Sequence, residues 1–373
     1  MQFCKKCVMP DTRPGIYFDG EGVCQACRAE ERKNAIDWEV RWHELELLCD
    51  KHRGKYGSNG HDCVIAVSGG KDSHYQVHIF KERLGMNPLL VSVEDNFTMT
   101  EAGKHNLKNI SETFGCMVLS CKPDIRTQKK LVRHSFEKWG KPTWFLDRLI
   151  YTYPIRMALA FRVPLIVYGE NISYEYGGVN RVETPSAADQ INNGVASDLS
   201  WEELMQAGVT ARDLHWCVYP EKELQEFSLE PIYLSYFVRW NSYSNYLFAK
   251  SIGFKDLTHE WQREHTPEWF DQIDSKAYLV HPWLKYPKFG HATATDYASK
   301  FIRYGLISRA EGIELVKKHD HKLDQLAVDD FCSFTGYTLR EFYAIVDTLY
   351  NPELFEKNAF GQWVLKNPLW GER

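Results

Sequence analysis

The stretch from His61 to Ser73 constrains this chain more than any other. Val64 to Val67 is a short apolar run, which reads as a strand buried on both faces. The run stops at Ser68-Gly69-Gly70, and a helical pattern starts near Lys71, carrying Tyr75, Val77, His78 and Phe80. A strand, a glycine turn and a helix N-terminus together make a nest of backbone N–H groups backed by the positive end of a helix dipole. Such a nest holds an anion, most naturally a phosphate. The spacing is not that of the loop ending in Gly-Lys-Ser/Thr, which places four residues after its first glycine, nor is it Gly-x-Gly-x-x-Gly.

Strands and helices alternate around this loop. Strands are expected at 64–67, 89–93, 116–120 and 163–168, with helices over 72–84, 100–114, 124–138 and 145–161. Alternation of this kind predicts an α/β fold with a parallel sheet and helices on both faces. Ligands of such sheets lie beyond the carboxyl ends of the strands. Ser68–Ser73, Glu94-Asp95-Asn96 and Gly169-Glu170-Asn171 all fall there, so a nucleotide is expected across these three loops. Residues 172–230 interrupt the alternation and hold a capping box at Ser200-x-x-Glu203. Pro231–Phe237 reads as a fifth strand and 241–252 as its helix. From about 258 the pattern is helical and aromatic, with capping boxes at Ser308-x-x-Glu311 and Thr338-x-x-Glu341. The expected organisation is 1–56 as a cysteine ribbon and connecting helix (28–53), 57–257 as the α/β domain with an insertion at 172–230, and 258–373 as a helical domain for substrate or partner.

Four of the ten cysteines are paired as Cys4-x-x-Cys7 and Cys24-x-x-Cys27. Two such knuckles supply four thiolates, the donor set of a closed structural Zn²⁺ site. The filler between them (Pro10, Pro14, Gly15, Gly20, Gly22) suits a small ribbon. Cys49, Cys63, Cys116, Cys121, Cys217 and Cys332 are scattered and read as buried small apolar residues.

Net charge is −5, which argues against a nucleic-acid partner. The N-terminus has no secretory pattern and no apolar run reaches membrane-spanning length, so the expected location is the cytoplasm, with no membrane partner.

A nest that holds the β and γ phosphates of ATP leaves the α phosphorus open to attack. Lys71 can stabilise charge on the phosphates, with Mg²⁺ sharing that work. Asp72 can approach Mg²⁺ or serve as a first-turn acid favoured by the helix dipole. Ser68 and Ser73 can donate to phosphate or cap the helix, and Gly69, Gly70 and Gly169 supply the turns. Asp95, Asn96 and Glu170 are acceptors for ribose, Mg²⁺ or the incoming nucleophile. No Gly-x-Cys-x-Gly elbow is present and Gln2 follows Met1, so ammonia for an amide-type transfer is expected free or from a separate subunit.

The hexad Ser68–Ser73 resembles the PP-loop of the ATP pyrophosphatases. A wider set of stretches is similar to the N-acetyl sugar amidotransferase (WbpG-like) family: Cys4-Lys-Lys-Cys7-Val-Met-Pro10-Asp-Thr-Arg-Pro14-Gly15-Ile16, Cys24-x-x-Cys27, Tyr236-Phe-Val-Arg-Trp240-Asn-Ser-Tyr, Lys285-Tyr-Pro-Lys288-Phe289-Gly290 and Thr295-Asp296-x-x-Ser299-x-x-Ile302-Arg303-x-Gly305-x-Ile307. The resemblance implies conversion of a sugar acetamido group to an acetamidino group with ATP and ammonia, in bacterial surface-glycan biosynthesis. It also implies a glutaminase subunit and a cyclase-like subunit, similar to the pair of histidine biosynthesis, as the ammonia source. Asp95 and Glu170 are then carboxylates for base or Mg²⁺ duty. Lys285, Lys288 and Arg303 are candidates for the diphosphate or carboxylate of a nucleotide sugar, or else a solvated basic face. Trp240 can stack on a base or sugar, or sit in the core. The competing expectation is a PP-loop tRNA-modifying enzyme, a thiolase or lysidine-type ligase.

Overall fold

The computed structural model describes residues 1–55, 60–178, 183–190 and 201–371. Two helices open the chain after the cysteine ribbon, α1 (Gln25–Arg32) and α2 (Trp38–Asp50). One connecting helix was expected over 28–53. It is divided because Asp37 is extended and caps α2, its carboxylate accepting from the N–H groups of Glu39 and Val40.

The α/β part then runs β1 (Cys63–Ala66), α3 (Lys71–His78, continued as a wider π turn to Arg83), β2 (Pro88–Val93), α4 (Glu101–Phe114), β3 (Val118–Cys121), α5 (Ile125–Trp139), α6 (Trp144–Phe161) and β4 (Leu165–Tyr168). Two short helices follow, α7 (Trp201–Met205) and α8 (Glu221–Glu226), and then β5 (Glu230–Tyr233). The expected capping box at Ser200 lies outside the described residues. The fifth strand is shorter than expected: Leu234–Phe237 turns into a helix, α9.

All five strands are parallel, in the order β3-β2-β1-β4-β5. The inner strands β1, β2 and β4 are buried on both faces, while the edge strands β3 and β5 are partly exposed, and the two-residue period divides the side chains. Cys63 and Ile65 join a cluster with Val77, Phe80, Ile110 and Trp240, while Val64 joins Ile155, Ala158 and Tyr233 on the opposite face. The apolar run of β1 is therefore continuous in sequence because helices cover both faces. The order reverses between β2-β1 and β1-β4, which opens a crevice beyond the carboxyl ends of β1 and β4.

The remaining helices are α10 (Ser242–Ser251), α11 (Val280–Trp283), α12 (Lys285–Phe289), α13 (Thr293–Arg303), α14 (Arg309–His319), α15 (Gln325–Thr335) and α16 (Leu339–Thr348). The capping boxes at Ser308 and Thr338 are both formed. An antiparallel hairpin, β6 (Phe355–Lys357) and β7 (Trp363–Leu365), departs from the helical pattern. Gly361 closes it at φ +76°, and Trp363 stacks on Tyr350 with ring centroids 5.0 Å apart. The largest apolar cluster spans both parts of the chain. Phe136 of α5 packs on Phe331 and Phe342, with ring centroids 5.1 and 5.4 Å apart.

Candidate active site at the phosphate loop

Where β1 ends, the backbone of Ser68–Gly70 is held by its own side chains. The Ser68 N–H donates to Ser73 Oγ at 3.1 Å, and the Gly70 N–H donates to Ser68 Oγ at 3.1 Å. Gly69 sits at φ +87°, and a Cβ there would lie 2.9 Å from the Leu107 nitrogen of α4. Only glycine satisfies both conditions. Behind the turn, buried His74 donates from Nδ1 to the Gly70 carbonyl at 3.0 Å, and Asn109 meets its Nε2 at 3.1 Å. Burial holds this imidazole below its usual pKa, so it serves as a neutral brace.

A cavity of about 450 Å³ opens from this loop into the crevice. Lys71 and Asp72 line it together with Glu170 at the end of β4 and Asp95 at the end of β2. The opposite wall comes from the C-terminal region, with Asp271, Asp274, Lys285, Asp296 and Lys300.

The electrostatics of the cavity fall into two groups. Lys71 is 4% exposed and pairs with Asp72 at 2.7 Å and with Asp271. Burial opposes its charge, but Asp271 and Asp72 outweigh burial and hold the ammonium above its ordinary pKa. Lys300 reaches the other oxygen of Asp271 at 3.3 Å and the Tyr176 hydroxyl at 3.2 Å. Asp271 feels the same burial, and the two lysines keep its carboxyl below the usual range. Glu170 lies on the strand side of this group. Burial and then repulsion from Asp72 push its carboxyl up to about 7. The second group lies toward β2, where burial and repulsion from Asp95 push Asp274 up to about 7. Asp95 accepts from the Ser275 hydroxyl at 2.5 Å and the Phe97 N–H at 2.9 Å, and burial raises its pKa as well.

The structure thus brings Ser68, Gly70, Lys71, Asp72, Ser73, Asp95, Gly169, Glu170 and Lys285 to one cavity. Four residues expected near substrate are placed elsewhere. Asn96 turns to the Pro123 carbonyl at 2.9 Å and Gln128 at 2.7 Å. Lys288 donates to the Gly140 carbonyl at 2.7 Å, and burial followed by Lys141 and Lys285 lowers its pKa to about 8. Arg303 points to the Glu175 carbonyl, beside the cysteine ribbon. Trp240 is 2% exposed and lies under the Gly169 turn, where a Cβ would meet its ring at 3.1 Å and Gln76 at 2.9 Å. It is the floor that makes residue 169 a glycine.

Asp271, Asp274 and Lys300 escaped the sequence reading. A signal for Lys300 was present, because Asp296 and Lys300 are one helical turn apart on α13. Asp271 and Asp274 lie on an irregular segment, which offers no periodicity to read.

The four ribbon cysteines converge at a second site. Their sulfurs lie within 4.8 Å of one another, with Cys4 to Cys27 at 3.9 Å and Cys7 to Cys24 at 3.7 Å. Four thiolates about 2.3 Å from a common centre are about 3.8 Å apart, so the set fits a tetrahedral ion. All four are buried, which leaves no open coordination position. The ribbon also reaches the cavity wall. Arg13, between the two knuckles, donates to the Gly177 carbonyl and to Asp296, both at 2.9 Å. Arg309 of α14 donates to the Cys7 carbonyl at 3.0 Å.

The parallel sheet, its switch-point crevice and the Ser68–Ser73 nest define the PP-loop class of α/β fold. Residues 241–369 match the family described as LPS biosynthesis protein WbpG-like, C-terminal domain. That match covers the helical region and not the sheet. An uncharacterized protein of Methanocaldococcus jannaschii is 25% identical over 186 residues, 48% of this chain; the chain spans 63% of that relative's length. Among solved structures, NMN synthetase from Francisella tularensis is 14% identical, with 61% of this chain and all of that one covered, at a TM-score of 0.30. The U34-tRNA thiolase NcsA from Methanococcus maripaludis, with its [4Fe-4S] cluster, is 12% identical over 90% of this chain and 96% of its own, also at 0.30. TM-scores this low are weak likenesses, and the strand order and loop stand without them.

Proposed function

We propose that the protein is an ATP-dependent N-acetyl sugar amidotransferase of surface-glycan biosynthesis. The observation that carries this reading is the shared cavity: the Ser68–Ser73 nest and residues of the WbpG-like region face each other across it. In this reading the acetamido oxygen of the sugar attacks the α phosphorus of ATP. The bond from that phosphorus to the bridging oxygen breaks, pyrophosphate leaves, and the amide N–H proton passes to a base, giving a neutral adenylated imidate. Ammonia adds at carbon, and AMP departs with the oxygen to leave the amidine.

The residues suit these steps. The nest and Lys71 take the phosphates. Asp72 and Glu170 line the cavity beside the nest, and they would hold Mg²⁺, which supplies charge neutralisation on the triphosphate. Asp274, held near neutrality, is suited to take the amide proton. Lys285 and Asp296, paired with each other at the far wall, are placed for the polar groups of a nucleotide sugar.

No cysteine lines this cavity among the described residues. Burial raises the thiol pKa of Cys49, Cys63, Cys116, Cys121, Cys217 and Cys332, against a reactive thiolate. This supports ammonia delivery by a separate glutaminase subunit with a cyclase-like subunit. Zn²⁺ is the ion we assign to the ribbon. Among the described residues no helix is long and apolar enough to cross a membrane, and a cytoplasmic location is part of the proposal. The test is incubation of UDP-acetamido sugars with ATP, Mg²⁺ and ammonium. AMP, pyrophosphate and a sugar product lighter by about 1 Da, from exchange of O for NH at the carbon that bore the adenylated oxygen, are expected. Release of ADP and phosphate excludes the scheme.

A further inference from the structure

Asp271 holds a position with no evident structural need. Its backbone is fixed independently of its side chain. The Asp271 N–H donates to Glu268 Oε2 at 2.8 Å, and Arg263 donates to the Asp271 carbonyl at 2.8 Å. Its carboxylate instead projects into the cavity, where one oxygen takes Lys71 and the other takes Lys300. Both lysines are 4% exposed, and their cations converge on a single carboxylate beside the backbone nest of Ser68–Gly70. Two buried ammonium groups meet at this one carboxylate, and Lys71 also takes Asp72 at 2.7 Å. The two ammonium groups match a group with several anionic oxygens.

We propose that Asp271 stands in for a nucleotide phosphate in the ligand-free protein, and that Lys300 is the second cation of the triphosphate site, supplied by the C-terminal region. This rests on the reading of Ser68–Ser73 as the ATP phosphate nest. On binding, the β and γ phosphates take the two lysines and the Asp271 carboxylate turns to solvent through the open side of the cavity, where its side chain is already 24% exposed. The exchange keeps both ammonium groups paired at every stage, which avoids the cost of a buried unpaired charge. It also makes the phosphate site a joint product of the two halves of the chain.

Calorimetric titration of the whole chain with ATP, inorganic pyrophosphate and AMP, in buffer without added Mg²⁺, tests this. Asp271→Asn removes the competing charge and keeps the side-chain shape, so pyrophosphate is expected to bind about tenfold tighter, the scale of one charge-assisted contact. Lys300→Met is expected to weaken ATP and pyrophosphate about ten- to a hundredfold and to leave AMP unchanged. Lys300→Arg restores most of the loss. Thermal melts identify a variant that has lost its fold, in which case Asp271→Asn alone decides. Weaker or unchanged pyrophosphate binding by Asp271→Asn overturns the stand-in role, and unchanged binding by Lys300→Met removes Lys300 from the site. If the wild-type protein binds neither ATP nor pyrophosphate, the phosphate-nest reading itself fails. If it binds both and the variants do not respond, only this inference fails.

Discussion

At the scale of single residues, the phosphate turn depends on Gly69. Its φ of +87° and the 2.9 Å approach of the Leu107 nitrogen leave no room for a methyl group. Gly69→Ala is expected to cost about 1–3 kcal/mol through strain and displacement of α4. Nucleotide binding should fall further than stability, because the nest itself is displaced. A chemical melt paired with ATP titration separates the two effects. The carboxylates supply a second expectation. Glu170 and Asp274 are both pushed up to about 7 by burial and a neighbouring carboxylate. A base works deprotonated, so turnover should rise with pH through about 7 and be lost below it. If Asp274 is the base, Asp274→Asn abolishes turnover at all pH values. Glu170→Gln should instead leave that limb in place and raise the Mg²⁺ requirement. A pH–rate profile without a limb near neutrality would remove Asp274 from proton transfer.

At the scale of elements, the ribbon behaves as a brace for the crevice. Arg13 ties it to Gly177 and Asp296, Gln25 donates to the carbonyls of Ser173 and Gly178, and Lys33 pairs with Glu175 at 2.7 Å. These contacts hold the segment after β4, which carries Glu170 and Tyr176 into the cavity. Metal analysis is expected to find one tetrahedral ion per chain. Chelation, or Cys4→Ser, should expose residues 170–178 to proteolysis and amide exchange before the sheet unfolds. Unchanged exchange in that segment would show that the ribbon is an independent appendage. The capping boxes at Ser308 and Thr338 make a useful contrast, because they were readable from four-residue patterns that close on themselves.

At the scale of the whole molecule, the largest core runs across the expected boundary near 257. Phe97, Val132, Phe136 and Leu146 pack with Phe331, Phe342 and Val346 in one cluster. Phe331→Ala is expected to destabilise the protein by about 3–5 kcal/mol. It should lower a single transition rather than melt one half, which scanning calorimetry resolves. A chain ending at residue 257 would expose the α5 side of this core and is expected to aggregate.

The β1 strand, the Ser68–Ser73 nest, the two cysteine knuckles and the capping boxes were legible because each is a local pattern whose physics acts within about a dozen residues. The fate of Trp240, Lys288 and Arg303 was not. Their side chains suit a ligand or a core equally well, and only the distance to Gly169, Gly140 and Glu175 decides. Asp271 and Asp274 were invisible for a related reason: their segment has no period, and they acquire meaning from Lys71, two hundred residues earlier, and from Asp95. By itself, then, the sequence determined that a glycine turn opens a helix at the end of a buried parallel strand and that four cysteines gather in the ribbon. Tertiary structure alone decided that Asp271 brings Lys71 and Lys300 together beside that turn. Charge pairing across the crevice depends on where helices dock, and docking is set by apolar packing that no short stretch of sequence records.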